Sequence, residues 1–287
     1  MNRARIFGTI MLVIVTAMGC SEILESEMQE GSLTDPTFKN GQSQWEAAIA
    51  QAVGSIDFAM DYSFVPPSDT VNPVSNRNLG YSAAASIDTF NYSYDVVTGW
   101  HVASAVFADS GISGTLLDSV QFQDAAGQVM EVFSDVSTDR FHVISDIDIA
   151  TDDTIFFAIT LAAHSDLVIS NITSGMPVAN GTFDFDFVWD LDSCAIGMDF
   201  AQTLTNVVFP EPGTATSGVC PTSGSMHLTG SVSLVCTGSQ SPQNVTDSWT
   251  VDVIFNSDGT MSVTAQTGNT VWNYSGNIPC GNYYSLI

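Results

Sequence analysis

The sharpest pattern in the chain is a strict alternation of large apolar and mostly acidic residues between positions 183 and 192. One parity holds Phe183, Phe185, Phe187, Trp189 and Leu191, and the other holds Asp184, Asp186, Val188, Asp190 and Asp192. Successive side chains of a β-strand point to opposite faces. The pattern therefore predicts a strand with one buried face and one face in water.

The same period of two recurs from about residue 81 onward, for example in segments 90–94, 141–149, 226–236 and 249–255. Short polar turns such as 124–127 and 256–259 join neighbouring segments, and no helical pattern intervenes. Strands connected in this way form an antiparallel meander. We count about a dozen strands, and open antiparallel sheets of that size tend to curl or split. We therefore predict a mainly all-β fold whose meander is curled into a barrel, a half-barrel or a sandwich.

One segment before the strands has helical spacing. The apolar residues that share one helical face are Trp45, Ala48, Ile49, Ala52, Val53 and Ile56. Ser43 is followed three residues later by Glu46, which is typical of a capping box at a helix start. We predict one N-terminal amphipathic helix whose apolar stripe packs against the sheet.

The chain divides into a leader, a tether and a domain. Residues 20–41 are polar and acidic and predict a flexible tether. Residues 42–287 are predicted to form a single β-rich domain. If the β-region has a sub-domain boundary, we expect it in the loop 210–224, which is rich in Pro, Gly, Ser and Thr.

The first nineteen residues have the layout of a secretory signal. A short positive region with Arg3 and Arg5 precedes the apolar stretch 6–15, which is too short for a transmembrane span. The run 17–19, Ala-Met-Gly, lies directly before Cys20.

This run resembles the lipobox of bacterial lipoproteins, in which an aliphatic and two small residues precede an obligatory cysteine. Ala17 and Gly19 fit the pattern, whereas Met18 is larger than the usual residue. The resemblance implies that residues 1–19 are removed as a signal peptide. It also implies that Cys20 is acylated, with palmitate as a typical acyl group, and anchors the chain to a membrane. Ser at position 21, rather than Asp, resembles the sorting signal for the outer rather than the inner membrane.

Four further cysteines lie in the last third of the chain: Cys194, Cys220, Cys236 and Cys280. An even number of cysteines in an exported chain predicts two disulfides, and the spacing leaves all three pairings open. A zinc site is the alternative, but the sequence has no C-x-x-C pair and no nearby pair of histidines.

The chain is strongly acidic, with 31 Asp and Glu against 5 Lys and Arg and a formal charge of −26. Such a surface repels nucleic acid and anionic headgroups, which excludes a nucleic-acid partner. It attracts cations and basic partners, although solubility in a salty environment is the simpler explanation.

No catalytic motif is present: the chain lacks G-x-S-x-G, H-E-x-x-H and a phosphate-binding glycine loop. The four histidines, His101, His142, His164 and His227, are dispersed over the β-region without a triad-like setting. We therefore predict that the protein is not an enzyme and has no cofactor.

Two weaker sites are suggested by the pattern. Asp184, Asp186, Asp190 and Asp192 share one face of a strand and offer oxygen ligands of the kind that Ca²⁺ prefers. A solvated acidic face explains them more simply, because no glycine-punctuated acidic loop accompanies them. Among the aromatic residues, Trp100 and Trp272 are expected to be partly exposed and are candidates to face a ligand.

Two functions follow as expectations. The first is a non-enzymatic binding or structural module of the cell envelope, whose partner is a protein, a glycan or an envelope component. The second is a carrier of a lipid or other hydrophobic ligand beneath a curved sheet. An apolar cavity under the helix would favour the carrier, and a filled core would favour the binding module.

Overall fold

The fold comes from a computed structural model of the chain. The structure describes residues 38–39, 41–42, 44–46, 48–49, 87–109, 111–134, 136–151, 158–191, 194–209, 220–237 and 243–277. Predictions for Cys20, Asp192, Cys280, the leader and tether up to residue 37, and the helix positions beyond residue 49 lie outside the described residues. Within the described part, no helix is long and apolar enough to cross a bilayer.

Twelve strands form a single antiparallel sheet. They are β1 (Ile87–Asp95), β2 (Trp100–Asp109), β3 (Ile112–Gln123), β4 (Val129–Met130), β5 (Arg140–Thr151), β6 (Ala158–Ser170), β7 (Val178–Leu191), β8 (Cys194–Val208), β9 (Ser223–Cys236), β10 (Gln243–Phe255), β11 (Thr260–Thr267) and β12 (Thr270–Asn277). Each strand lies beside the next in chain order, except that β4 pairs only with β3 and β5 takes the next place. The predicted antiparallel meander is therefore confirmed, and it runs without a break across the loop between β8 and β9.

The sheet has two chemically different faces, and β7 shows both. Phe183, Phe185 and Phe187 are buried on one face, which we call the apolar face. Asp184 and Asp186 are exposed on the opposite face, which we call the polar face. The alternation predicted from the sequence is thus confirmed.

The sheet is not closed. β1 and β12 end the strand order, and no pairing between them occurs among the described residues. The expectations of a closed barrel and of a two-sheet sandwich are both wrong. Among the described residues, two other parts of the chain cover regions of its apolar face, which reduces the apolar surface that closure or a second sheet would otherwise bury.

A short helix covers one region of the apolar face. The nine described residues between positions 38 and 49 are helical, and we call them the N-terminal helix. Phe38, Trp45 and Ile49 are fully buried and belong to the main core cluster. The helix therefore begins before Ser43, inside the segment predicted to be tether, because Phe38 supplies a further apolar turn. Helix is otherwise a minor feature of the described chain, with one 3-10 turn at Ile172–Ser174.

The helix lies directly against β8, β10 and β12. The Gln202 side chain of β8 donates a hydrogen bond to the Ala48 carbonyl over 3.1 Å. Gly41 is buried so close to β10 that a Cβ atom there would lie 2.0 Å from the Trp249 ring. The glycine is thus required by this close approach of helix and sheet.

A loop covers another region of the apolar face. Phe133, in the loop between β4 and β5, packs against Phe122 and Phe141, with ring centroids 5.8 and 5.5 Å apart. The buried Thr138 hydroxyl accepts a hydrogen bond from the backbone N–H of Ser134. The Phe133 side chain therefore holds this loop against the sheet.

A disulfide joins the facing ends of β8 and β9. Cys194 and Cys236 are register partners, with Cα atoms 4.0 Å apart, and their sulfur atoms are bonded. Cys220 is also disulfide-bonded. These bonds support the expectation of disulfides rather than zinc for Cys194, Cys220 and Cys236.

Candidate functional site

On the polar face, β5, β7 and β8 contribute acidic side chains, and β6, which lies between β5 and β7, contributes a histidine. Directly opposite residues on antiparallel strands project from the same face, with Cβ atoms roughly 5 Å apart. Asp146 of β5 lies opposite His164 of β6, which lies opposite Asp184 of β7. One step along the strands, a second row holds Asp148, Ala162, Asp186 and Asp199. We call the side chains of Asp146, Asp148, His164, Asp184, Asp186 and Asp199 the acidic patch.

The acidic patch lines a shallow depression of about 220 Å³ on β5 to β8. Asp148, Asp184, Asp186 and Asp199 are exposed, while Asp146 and His164 are half-buried. The strands themselves form the floor of this depression, between the two rows of side chains, near Ile147, Ala163 and Phe185. The depression is open to solvent.

Like charges meet directly within the acidic patch. Asp186 and Asp199 are register partners on β7 and β8, and like charges directly opposite on a sheet are destabilising. The described residue with a permanent positive charge on these strands is Arg140, which starts β5 six positions before Asp146. At the rise of a strand this separation is roughly 20 Å, well beyond the screening length at physiological salt.

Three cross-strand pairs of histidine and aspartate lie on the polar face. His164 Nδ1 is 2.6 Å from Asp146 Oδ1, and His227 Nδ1 is 2.7 Å from Asp252 Oδ1. His142 Nε2 is 2.7 Å from an oxygen of Asp166. The side chains in these pairs are about 28 to 61 % exposed, so the pairs contribute little to stability. They orient the imidazole rings on the surface of the sheet.

The fourth histidine lies apart from these pairs, on the apolar face. His101 is buried, its Nδ1 lies 2.7 Å from the Tyr92 hydroxyl, and burial lowers the pKa of its imidazole. The structure therefore brings three of the four histidines to one face without bringing them together.

The predicted calcium ligands are only partly assembled. Asp184, Asp186 and Asp190 project from the polar face as expected, and Asp192 lies outside the described residues. Within the described ranges, no group of three or more His, Cys, Asp or Glu side chains is placed to hold a metal ion. Successive same-face positions of one strand are roughly 7 Å apart, too far for adjacent carboxylates to share one ion. The calcium site stays a prediction.

The two candidate aromatic residues have different surroundings. Trp100 is half-buried, as expected, and contacts the His142 ring edge-on at 5.0 Å between centroids. Trp272 is only 6 % exposed and packs against Phe38 and Trp249. The expected partial exposure of Trp272 is wrong, because the N-terminal helix covers this part of β12.

Two buried carboxyl groups were not singled out as sites by sequence reasoning. Asp118 projects into the apolar face and accepts a 2.5 Å hydrogen bond from the Ser145 hydroxyl, and burial raises the pKa of this carboxyl. The sequence pattern predicts that Glu46 is part of a capping box, but the side chain is buried between the helix and β12. The parity of Asp118 with Val120 and Phe122 is visible in the sequence and places it on the apolar face, whereas the burial of Glu46 depends on the packing of the helix against β12, for which the sequence carries no signal.

No family model matches the chain, and no match to it is found among the curated proteins or the solved structures.

Proposed function

We propose that the protein is an exported lipoprotein, held on a membrane by a lipid on Cys20, that acts as a non-enzymatic binding or structural module of the cell envelope. The lipobox-like run that ends at Cys20 supports the anchor, and Ser21 supports the outer rather than the inner membrane. The polar face of the sheet is the binding surface in this proposal.

The acidic patch carries the proposal, because its charge lacks compensation within the described part of the protein. Asp186 and Asp199 lie directly opposite each other, and their mutual repulsion costs free energy that a cationic group between them would offset. Complementary charge accelerates and orients protein association more than it tightens it. The partner best suited to this surface is a protein with exposed Lys and Arg side chains.

Site-specific photo-crosslinking in the native cells tests the binding surface. A photoreactive residue is placed at Thr203 or Thr229, which are exposed on the polar face, and at Val97, which is exposed in the turn between β1 and β2. We expect a discrete adduct of one mass from the two polar-face positions and none from Val97. Equal adducts from all three positions, or none from the polar face, would contradict the proposal.

The anchor has its own test. Cys20→Ala is expected to block processing or to release the protein from the detergent phase of a phase-separation assay. Retention in that phase, with cleavage at another residue, would show that the leader is an ordinary signal peptide.

A hydrophobic-ligand carrier is the second candidate, and one observation favours it. Leu116 and Ile147 are register partners on the apolar face and are only half-buried, as is Leu161 of β6. The half-barrel curvature that a carrier needs would enclose this part of the sheet. The packing of Trp45, Trp249 and Trp272 at the N-terminal helix fills the core there, and this filled core favours the binding module.

Native mass spectrometry separates the two functions. A carrier purified from its own cells would show a lipid-sized mass that is present in native conditions and absent after denaturation, whereas a lipid on Cys20 persists in both. For a binding module we expect no such dissociable mass. A stoichiometric dissociable lipid would favour the carrier.

A further inference from the structure

The contact between the N-terminal helix and β12 contains one acidic side chain in an otherwise apolar and aromatic setting. Glu46 is 5 % exposed and lies beside Trp45, whose ring centroid is 5.7 Å from that of Tyr274. Its Oε1 atom accepts hydrogen bonds from Gln42 Nε2 at 2.8 Å and from the Tyr274 hydroxyl at 3.0 Å. The Glu46–Tyr274 hydrogen bond connects residues 228 positions apart in the chain.

We propose that Glu46 is a pH-sensitive latch, which holds the N-terminal helix on the sheet while its carboxyl is protonated and loosens that contact when the carboxyl ionises. The inference does not depend on the lipid anchor or on the acidic patch. It assigns a role to a carboxyl group that the proposed function does not use.

The setting of Glu46 favours the neutral carboxyl. Burial raises its pKa from 4.5 to about 7, although the hydrogen bonds from Gln42 and Tyr274 lower it. Burial and the neighbouring Glu46 also raise the pKa of Tyr274, so this hydroxyl stays protonated over the pH range in which Glu46 ionises. An ionised carboxylate in this contact lacks the solvation that it would have in water.

Few described charged groups share this surface. Lys39 lies on the same helix and is exposed, and Asp247 of β10 projects from the same face of the sheet as Trp249. β8, β9 and β11 present no titratable side chain on the part of the apolar face covered by the helix, within the described residues. Asp252 and His227 lie on the opposite face. Glu46 and Tyr274 are therefore the titratable groups in contact.

The direction of the pH effect follows from the raised pKa. The Glu46 carboxyl stabilises the docked helix fully at a pH below its ordinary pKa of 4.5, where it is protonated in both the docked and the undocked state. This stabilisation of the docked helix is lost progressively as the pH rises from 4.5 and is gone above about pH 7. Between pH 5 and pH 8 the ratio of docked to undocked helix is expected to fall on the order of 50-fold.

Hydrogen exchange of the full chain between pH 5 and pH 8, corrected for the intrinsic rates, measures this ratio. We expect the protection of the helical amides near Glu46 to fall on the order of 50-fold, while the amides of β8 and β10 keep theirs. Unchanged protection of the helix would overturn the latch. An equal loss in helix and strands would also overturn it, because the effect would then be global.

Three variants make the test specific. Glu46→Gln keeps a hydrogen-bonding side chain without a charge and is expected to remove the pH dependence, whereas Asp247→Asn removes a charge on the same face and is expected to retain it. Tyr274→Phe removes a hydrogen bond that lowers the pKa of Glu46, so the loss of protection should extend to higher pH than in the wild type. If Glu46→Gln does not fold, the pH dependence of helix protection in the wild type and its displacement in Tyr274→Phe still test the proposal. A Glu46→Gln profile identical to the wild type would contradict the proposal.

Discussion

Neighbouring side chains on β7 have opposite surroundings. Phe185 is 6 % exposed and stacks near Phe187, with ring centroids 6.1 Å apart, whereas Asp186 is exposed on the polar face. Phe185→Ala is expected to reduce the free energy of unfolding by about 3–5 kcal/mol through lost burial and the cavity left behind. Asp186→Asn is expected to change it by no more than roughly 0.5 kcal/mol, or to raise it slightly by relieving repulsion from Asp199. Urea unfolding of both variants measures the difference, and equal costs would contradict the assigned faces.

Gly41 provides a second prediction at the residue scale. Alanine is the better helix former, by about 1 kcal/mol, so Gly41→Ala would stabilise an exposed helix. Here the added Cβ would lie 2.0 Å from the buried Trp249 ring. Overpacking of this kind typically costs about 1–3 kcal/mol, and we expect a net loss of stability with disturbed tryptophan fluorescence. A stabilised variant with unchanged fluorescence would show that helix and sheet are not in close contact.

The period of two gave the buried and exposed positions of β7 because burial there is decided by strand parity alone. Trp272 shows the limit of that reasoning. Its exposure depends on Phe38 and the N-terminal helix, which lie more than 200 residues away in the chain. The three histidine–aspartate pairs were likewise beyond prediction, since they require the register between strands as well as the parity within each strand.

At the scale of elements, β8 and β9 are linked covalently as well as by their ladder. Cys194 and Cys236 are 42 positions apart in sequence. Closing a loop of that length contributes about 4 kcal/mol in the chain-entropy treatment. The double variant Cys194→Ser/Cys236→Ser is therefore expected to unfold at a lower denaturant concentration, with a somewhat steeper slope, because the unfolded chain exposes more surface without the cross-link. An unchanged midpoint in oxidised protein would mean that this bond does not form in the native compartment.

The helix illustrates what the sequence could and could not establish about an element. Trp45, Ala48 and Ile49 were correctly assigned to its buried stripe, because the helical period is visible locally. The sequence predicts its start too late, because Ser43 and Glu46 fit a capping box. Glu46 instead bonds Tyr274 of β12, a partner that no local pattern can indicate.

For the whole molecule, the antiparallel meander was predictable because short turns between alternating segments leave few other topologies. Whether its ends meet was not predictable. Closure depends on the twist accumulated over all the strands and on what covers the apolar face, and both are long-range properties. The pattern of one strand shows Asp184 and Asp186 of β7, but placing them beside the other members of the acidic patch requires the register of four strands.

The central claim is that the carboxylates of the polar face bind a basic partner, and a comparison of two matched triple variants tests it most directly. One variant, Asp148→Asn/Asp186→Asn/Asp199→Asn, removes three charges from the acidic patch. The control, Asp95→Asn/Asp124→Asn/Asp258→Asn, removes three charges at the end of β1 and in the turns after β3 and β10, away from the acidic patch. The yield of the photo-crosslinked adduct at Thr229 is measured for both in the native cells. We expect the first variant to lose roughly tenfold in yield, since three weakened charge contacts amount to about 1.4 kcal/mol, and the control to stay within about twofold of the wild type. Equal losses in the two variants, or no loss in either, would contradict the account.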